Sequence, residues 1–324
     1  METVLVTAPP KGSAPLYREI LAGKCELLFL TELTGDDRRH AFESASILVC
    51  GHVRNELLSE EAAQLKQVRF IQLLHAGTDH IPFSMLPQVP IACSRGKGAT
   101  EMSEHIAALA LACSRRLVRE DRNMRAGQFN TYADGPRKLN GGICAIMGFG
   151  GTGRAAARIF KGMGMSIHAI NRTGITDQDV DFIGTSKDLE PVMRRADVII
   201  ITMALTSATK GLIGPDELAW TKKDAILVNV SRAEIIDEAA LYRHLVANPD
   251  FSAGLDVWWI EPFRHGEFRT NYPFLELDNV VASPHNSAQA YNSDLGLAHT
   301  LLNVQAVLAG DAPRMLVQDD EKFL

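Results

Sequence analysis

Near the middle of a 324-residue chain stands Ile143-Cys144-Ala145-Ile146-Met147-Gly148-Phe149-Gly150-Gly151-Thr152-Gly153. The first five residues are an apolar run of the length of a buried strand. Gly148 to Gly153 is G-x-G-x-x-G. Arg154–Lys161 carries Ala155, Ala156, Ala157, Ile159 and Phe160 at helical spacing, and Ser166–Ile170 is a second apolar strand. Strand, glycine turn, helix and strand make one βαβ unit of about 30 residues, the context in which this motif holds a dinucleotide. Gly148 permits the tight turn, Gly150 lets a pyrophosphate approach the backbone, and Gly153 lets the helix pack close. The helix N-terminus offers unpaired N–H groups to the phosphates.

The second strand ends at Asn171-Arg172-Thr173. An NAD-binding unit carries an Asp or Glu there for the ribose hydroxyls. A neutral amide does not repel a 2′-phosphate, and Arg172 and Thr173 can bind one, so NADP is preferred over NAD. The alternative leaves Arg172 solvated or stacked on adenine, with either cofactor accepted.

Length suggests about two domains. A hydrophobic content of 46%, a charged content of 22% and a net charge of −6 describe an ordinary globular protein with no nucleic-acid or anionic-membrane partner. The opening Met1–Thr7 reads as a strand rather than a signal peptide, and no apolar run is long enough to span a bilayer. Five cysteines without C-x-x-C spacing read as core residues of a reducing cytoplasm.

Ahead of the glycine turn, strand-like runs at Val4–Thr7, Cys25–Leu30, Ile47–Cys50, Val68–Leu74 and Val89–Cys93 alternate with helical segments at Ala14–Leu21, Asp36–Ser44 and Leu58–Leu65. Thr100–Ala126 reads as one long helix and Gln128–Gly142 as a loop. Beyond Thr173, strands at Val198–Met203, Ala225–Val230, Gly254–Val257 and Asn279–Ala282 alternate with helices, and Ser287–Leu308 is helical. This alternation predicts an α/β protein with two doubly wound parallel-sheet domains. The last helix and tail are expected to return to the first domain, giving 1–108 with 286–324 as a discontinuous substrate domain and 109–285 as the dinucleotide domain.

Three segments leave strand ends where an open α/β sheet places its ligand crevice: Asn229–Asp237, Leu255–Pro262 and Ala282–Ala288. With them the chain resembles the D-isomer-specific 2-hydroxyacid dehydrogenase family. The likeness rests on the glycine unit, on LVNVSRAEIIDEAAL, GLDVWWIEP and VVASPHNSA in the family's order, and on GLIGPDELAW, HAGTDHI and MSEHIAALAL. It implies a Rossmann cofactor domain inserted into a flavodoxin-like substrate domain. It also implies hydride transfer between NAD(P)H and a small 2-keto acid, giving the D-2-hydroxy acid.

The resemblance makes His285 the acid/base, Glu261 its partner on the other ring nitrogen, and Arg232 the grip on the substrate carboxylate. Backbone N–H groups of Ala76, Gly77 and Thr78 would also hold that carboxylate. Around the cofactor it places Gly148, Phe149, Gly150, Gly151, Thr152 and Gly153, then Asn171, Arg172 and Thr173. Met203, Ala204, Thr209, Val230, Ser231, Arg232, Asp256, His285 and Ser287 complete that set. Ala233 and Ala204 stand where the family usually has Gly and often Pro. Trp258 or Trp259 is expected either to wall the substrate pocket or to pack in the core. His75 and His80 flank the Gly77 loop with no third ligand in view, so no metal is expected.

The resemblance further implies a homodimer, with the loop 128–140 and the helix before it as the contact. Two other readings differ in kind. One is a nucleotide-sensing corepressor-like protein without turnover. The other is a formate-dehydrogenase-like reaction, disfavoured because there the histidine's partner is usually an amide.

Overall fold

The computed structural model describes residues 1–9, 12–129, 135–289 and 295–322. The chain opens with β1 (Thr3–Val6), α1 (Ala14–Ile20), β2 (Glu26–Phe29), α2 (Gly35–Ser44) and β3 (Ile47–Cys50), then two short helices, α3 (Val53–Glu56) and α4 (Ser59–Ala62), β4 (Phe70–Leu73) and β5 (Ile91–Ala92). These strands form a parallel sheet in the order β2-β1-β3-β4-β5. β1, β3 and β4 are buried along their whole length. Both faces are covered, which is why these strands read as unbroken apolar runs without alternation.

There follow α5 (Ala99–Ser114), α6 (Leu117–Arg125), β6 (Ile143–Met147), α7 (Gly151–Gly162), β7 (Ser166–Ile170), β8 (Phe182–Gly184), α8 (Leu189–Arg195), β9 (Val198–Ile201), α9 (Pro215–Trp220), β10 (Ile226–Asn229), α10 (Glu238–Ala247), β11 (Ser252–Leu255), α11 (Pro262–His265) and β12 (Val280–Ala282). Their sheet is parallel, in the order β12-β11-β10-β9-β6-β7-β8. The order reverses between β6 and β9, so the crevice outside the carboxyl ends of those strands is the fold's ligand position.

The last helix, α12 (Leu295–Leu308), packs Leu301, Val304 and Val307 against Val4, Val6, Tyr17 and Phe70. The tail adds Val317 N–H to the Ile91 carbonyl at 2.8 Å. The chain divides into two compact units, Met1–Lys97 with Tyr291–Leu324, and Gly98–Ala290. By compactness the junction precedes α5 instead of cutting it at 108, because Ile106, Leu109, Ala110 and Cys113 pack into the core beside β6 and β10.

Other expectations shift in detail. The segment 100–126 is two helices. Arg116 adopts a left-handed φ of 51° and caps α6, its guanidinium on Asp250 at 2.9 Å. Among the described residues α6 buries none of its own, so no core contact fixes it on the axis of α5. The edge strand β8 is short and exposed at Phe182, and has no apolar run to announce it. The helix expected over 287–308 begins at Leu295 among the described residues, while 290–294 lie outside them. All five cysteines are buried free thiols.

Candidate active site

The glycine motif divides its labour as the βαβ reading requires. Gly148 has φ +98°, and a Cβ there would lie 2.4 Å from Met203 N and 2.7 Å from Thr202 C. It is the crossing point of the β6 and β9 chain ends. Gly153 permits the close seat of α7: its Cβ would meet the Gly148 carbonyl oxygen at 2.3 Å. Among the described residues, nothing lies within 4 Å of a Cβ on Gly150, the residue before α7 begins. That open cradle at a helix N-terminus fits a pyrophosphate. Phe149 turns inward and is buried in the core with Ile146 and Val230. Gly151 and Thr152 open α7, and Thr152 is hydrogen-bonded to Met102 Sδ at 3.7 Å.

At the end of β7, Asn171 builds its own loop. Its Oδ1 accepts from Thr173 N at 3.0 Å and Gly174 N at 2.7 Å, and its Nδ2 donates to the Ile175 carbonyl at 2.8 Å. This Asx turn presents Arg172 and Thr173 to solvent. The nearby Arg154, in the first turn of α7, pairs with Asp177 at 2.9 Å.

After β9, Thr209 Oγ1 donates to the Ala204 carbonyl at 2.7 Å and closes the turn over 204–209. The Met203 carbonyl accepts from Ser231 Oγ, which ties the ends of β9 and β10 together. Asn229, 1% exposed, shapes the turn that carries Arg232: its Oδ1 accepts from Ser231 N at 3.0 Å and its Nδ2 donates to the Arg232 carbonyl at 3.0 Å. Arg232 Nη1 donates to the Ser231 carbonyl at 2.8 Å.

β11 and β12 bring an imidazole onto a carboxylate. His285 Nδ1 lies 2.9 Å from Glu261 Oε1 and 3.0 Å from Oε2. The Glu261 side chain is 4% exposed and also accepts from Trp258 N at 2.8 Å. A buried carboxylate accepts and cannot donate, so Nδ1 carries the hydrogen.

His285 has a left-handed φ of 53°, a costly conformation for a non-glycine residue. Asp256, fully buried, holds it there. Its Oδ1 accepts from Ser283 Oγ at 2.6 Å and Asn286 N at 3.1 Å, and its Oδ2 accepts from Ser287 N at 3.0 Å. His105 on α5 reaches Ser283 Oγ at 2.8 Å. Asp256 is therefore the brace of the His285 turn, a task its sequence position at a strand end does not disclose. Asn286 Oδ1 is buried without a hydrogen bond among the described residues.

The two tryptophans separate. Trp258 donates Nε1–H to the Ser283 carbonyl at 2.9 Å and, with Phe268 and Leu275, lines a cavity of about 460 Å³ that also touches Glu261 and His285. Trp259 stacks on Phe274 at 5.4 Å and is a packing residue.

Ala76, Gly77 and Thr78 lie in the other unit, on the loop after β4, with Ala76 exposed and Thr78 buried. Here the sequence reading needs correction: His75 and His80 do have a third imidazole beside them, that of His52, whose ring centroid is 4.6 Å from His75 and 5.4 Å from His80. Its distance in sequence hid it.

Residues 107–287 match the family model described as D-isomer specific 2-hydroxyacid dehydrogenase, NAD binding domain. The chain is 32% identical over 283 residues to a glyoxylate reductase of Thermococcus litoralis, covering 84% of this chain and 82% of that one. To a hydroxypyruvate reductase of Thermotoga maritima it is 31% identical over 226 residues, covering 69% and 72%. The fold is similar to that of a D-isomer specific 2-hydroxyacid dehydrogenase from Xanthobacter autotrophicus Py2 in complex with NADPH and MES. That comparison gives a TM-score of 0.80 at 21% identity, over 99% of this chain and 100% of the other.

Proposed function

Since the chain belongs to the D-isomer specific 2-hydroxyacid dehydrogenase family, we propose that it reduces a small 2-keto acid such as glyoxylate or hydroxypyruvate, with NADPH preferred and His285 as the acid/base. At the coarser level it is an NAD(P)-dependent dehydrogenase of 2-hydroxy and 2-keto acids. The observation that carries the finer reading is the bond of His285 Nδ1 to both Glu261 oxygens, 2.9 and 3.0 Å.

The nicotinamide cofactor, when bound, supplies the hydride. Gly148, Gly150 and Gly153 with the N-terminus of α7 would hold its pyrophosphate, and the exposed Arg172 and Thr173 its 2′-phosphate. His285 Nε2 gives a proton to the developing alkoxide and takes it back in the reverse direction. Glu261 keeps the ring in one tautomer and one plane. Arg232, its plane set by Ser231 and its turn by Asn229, binds the carboxylate and polarises the keto group. The cavity beside Trp258 is half-enclosed and mainly apolar, suited to a short side chain.

The carboxylate partner of His285 favours a reaction with a proton to move over a formate-type reaction, which has none. Self-association fits the exposed Leu117, Val118 and Met124 on α6. No helix among the described residues is long and apolar enough to cross a membrane. The buried, unpaired thiols suit a reducing cytoplasm.

The test is NADPH and NADH absorbance decay with a panel of 2-keto acids. Turnover with glyoxylate or hydroxypyruvate, faster with NADPH, is expected. Tight cofactor binding with no turnover on any acid would overturn the reading and leave a nucleotide-sensing protein.

A further inference from the structure

The first sheet carries a cluster that hydride transfer does not use. β3 ends at Cys50 and β4 at Leu73, and the two strands are paired in parallel. His52 follows β3, and His75 and His80 follow β4. The topology therefore delivers three imidazoles to the carboxyl edge of one parallel sheet, where this sheet order places its ligands.

Their backbones are fixed. Leu74 N–H continues the pairing to the Cys50 carbonyl at 2.8 Å, and the His75 carbonyl accepts from Ser94 N at 2.9 Å. A turn from Ile81 N to the Thr78 carbonyl, 3.1 Å, sets His80. His52 N donates to Glu56 Oε1 at 2.6 Å as α3 begins. Gly51 leaves a gap beside them: a Cβ there would meet Glu56 Oε1 at 2.9 Å and His75 Nε2 at 3.3 Å.

We propose that His52, His75 and His80 form a binding site for a divalent transition metal of the zinc class. One ligand nitrogen from each ring lies within 4.8 Å of the other two. A tetrahedral site with metal–nitrogen bonds of about 2.0–2.1 Å needs nitrogens roughly 3.4 Å apart. The widest pair closes that gap when each nitrogen moves by about 0.7 Å, a side-chain rotation with no change of backbone. Three neutral imidazoles select zinc, copper or nickel over magnesium or calcium. The Glu56 carboxylate, held by Gly51 N at 2.9 Å and by Thr7 Oγ1 at 2.5 Å, supplies nearby negative charge for the dication.

Three protein ligands leave a fourth position for water or a carboxylate oxygen. His75 and His80 bracket Ala76, Gly77 and Thr78, so a bound ion clamps that loop at both ends and ties it to the end of β3. This inference does not depend on the cofactor or on His285, which belong to the other unit.

The experiment uses the full chain, stripped with a chelator and titrated with Zn²⁺ against a chromophoric competitor, then with Co²⁺ followed by visible absorption. One equivalent of Zn²⁺ and an intense tetrahedral-type Co²⁺ band are expected. His52→Ala, chosen because His52 is exposed and its loss leaves the core intact, should weaken Zn²⁺ binding by about 100-fold or more. His75→Gln is the second variant, checked for folding by thermal denaturation. Equal Zn²⁺ affinity in wild type and His52→Ala, or a weak octahedral Co²⁺ spectrum in the wild type, overturns the site.

Discussion

Two alanine substitutions within one motif should separate a folding glycine from a binding glycine. In Gly148→Ala the new methyl would sit 2.4 Å from Met203 N, 2.6 Å from Met203 Cα and 2.7 Å from Thr202 C, all backbone atoms at the end of β9. None can rotate away, so β6 and β9 must separate or the turn must distort. Overpacking of this kind costs about 1–3 kcal/mol. The φ of +98° adds strain for any L side chain, on the order of 1–2 kcal/mol. The sum is about 3 kcal/mol, which for a unit of this size lowers the melting temperature by roughly 6–12 °C. Gly150 has φ −89°, and a Cβ there would have nothing within 4 Å among the described residues, so Gly150→Ala should melt within about 2 °C of wild type. Its methyl occupies the space of the pyrophosphate and should weaken NADPH binding tenfold or more, about 1.4 kcal/mol. The assays are scanning calorimetry without cofactor and NADPH fluorescence titration. If Gly148→Ala melts like wild type, or Gly150→Ala binds NADPH unchanged, the division of labour in the motif is wrong.

Other perturbations address other parts of the site. Arg172→Ala should weaken NADPH use more than NADH use, read as a ratio of kcat/KM values; equal losses remove Arg172 from cofactor selection. Asp256→Asn replaces one of the two oxygens that accept from the His285 turn with an amide nitrogen, which can only donate, and should lower kcat about 10²-fold with cofactor affinity retained. A proportional loss of NADPH binding would show instead that Asp256 acts through the cofactor. Burial pushes the Cys113 thiol up to about 12, and all five thiols are buried. At pH 8 the native protein should react with a thiol reagent far more slowly than the unfolded chain, which should give five equivalents. Fast native labelling would contradict the packing around Cys113.

What sequence discloses here follows from how local the physics is. Gly148, Gly150 and Gly153 are legible because a turn, a phosphate approach and a helix seat each exclude a side chain within a few residues. Glu261 and His285 are legible through the family resemblance of their segments, which leave strand ends that converge in an α/β sheet whatever the intervening chain does. Asn229 and the bracing role of Asp256 are not, since both act by hydrogen bonds to backbone groups whose positions require the finished turns. His52 escapes for a related reason: only the pairing of β3 with β4 makes it a neighbour of His75. The break at Arg116 depends on which helix face finds a core. Apolar spacing continues through Leu117 and Val118, yet both are exposed.

The account rests on a proton carried at Nε2 of an imidazole that Glu261 holds. Its most direct test is the turnover of His285→Ala with NADPH and a 2-keto acid that the wild type reduces, beside its NADPH dissociation constant. A fall in kcat of about two to four powers of ten with cofactor affinity preserved is the expected result. Turnover equal to wild type would contradict it.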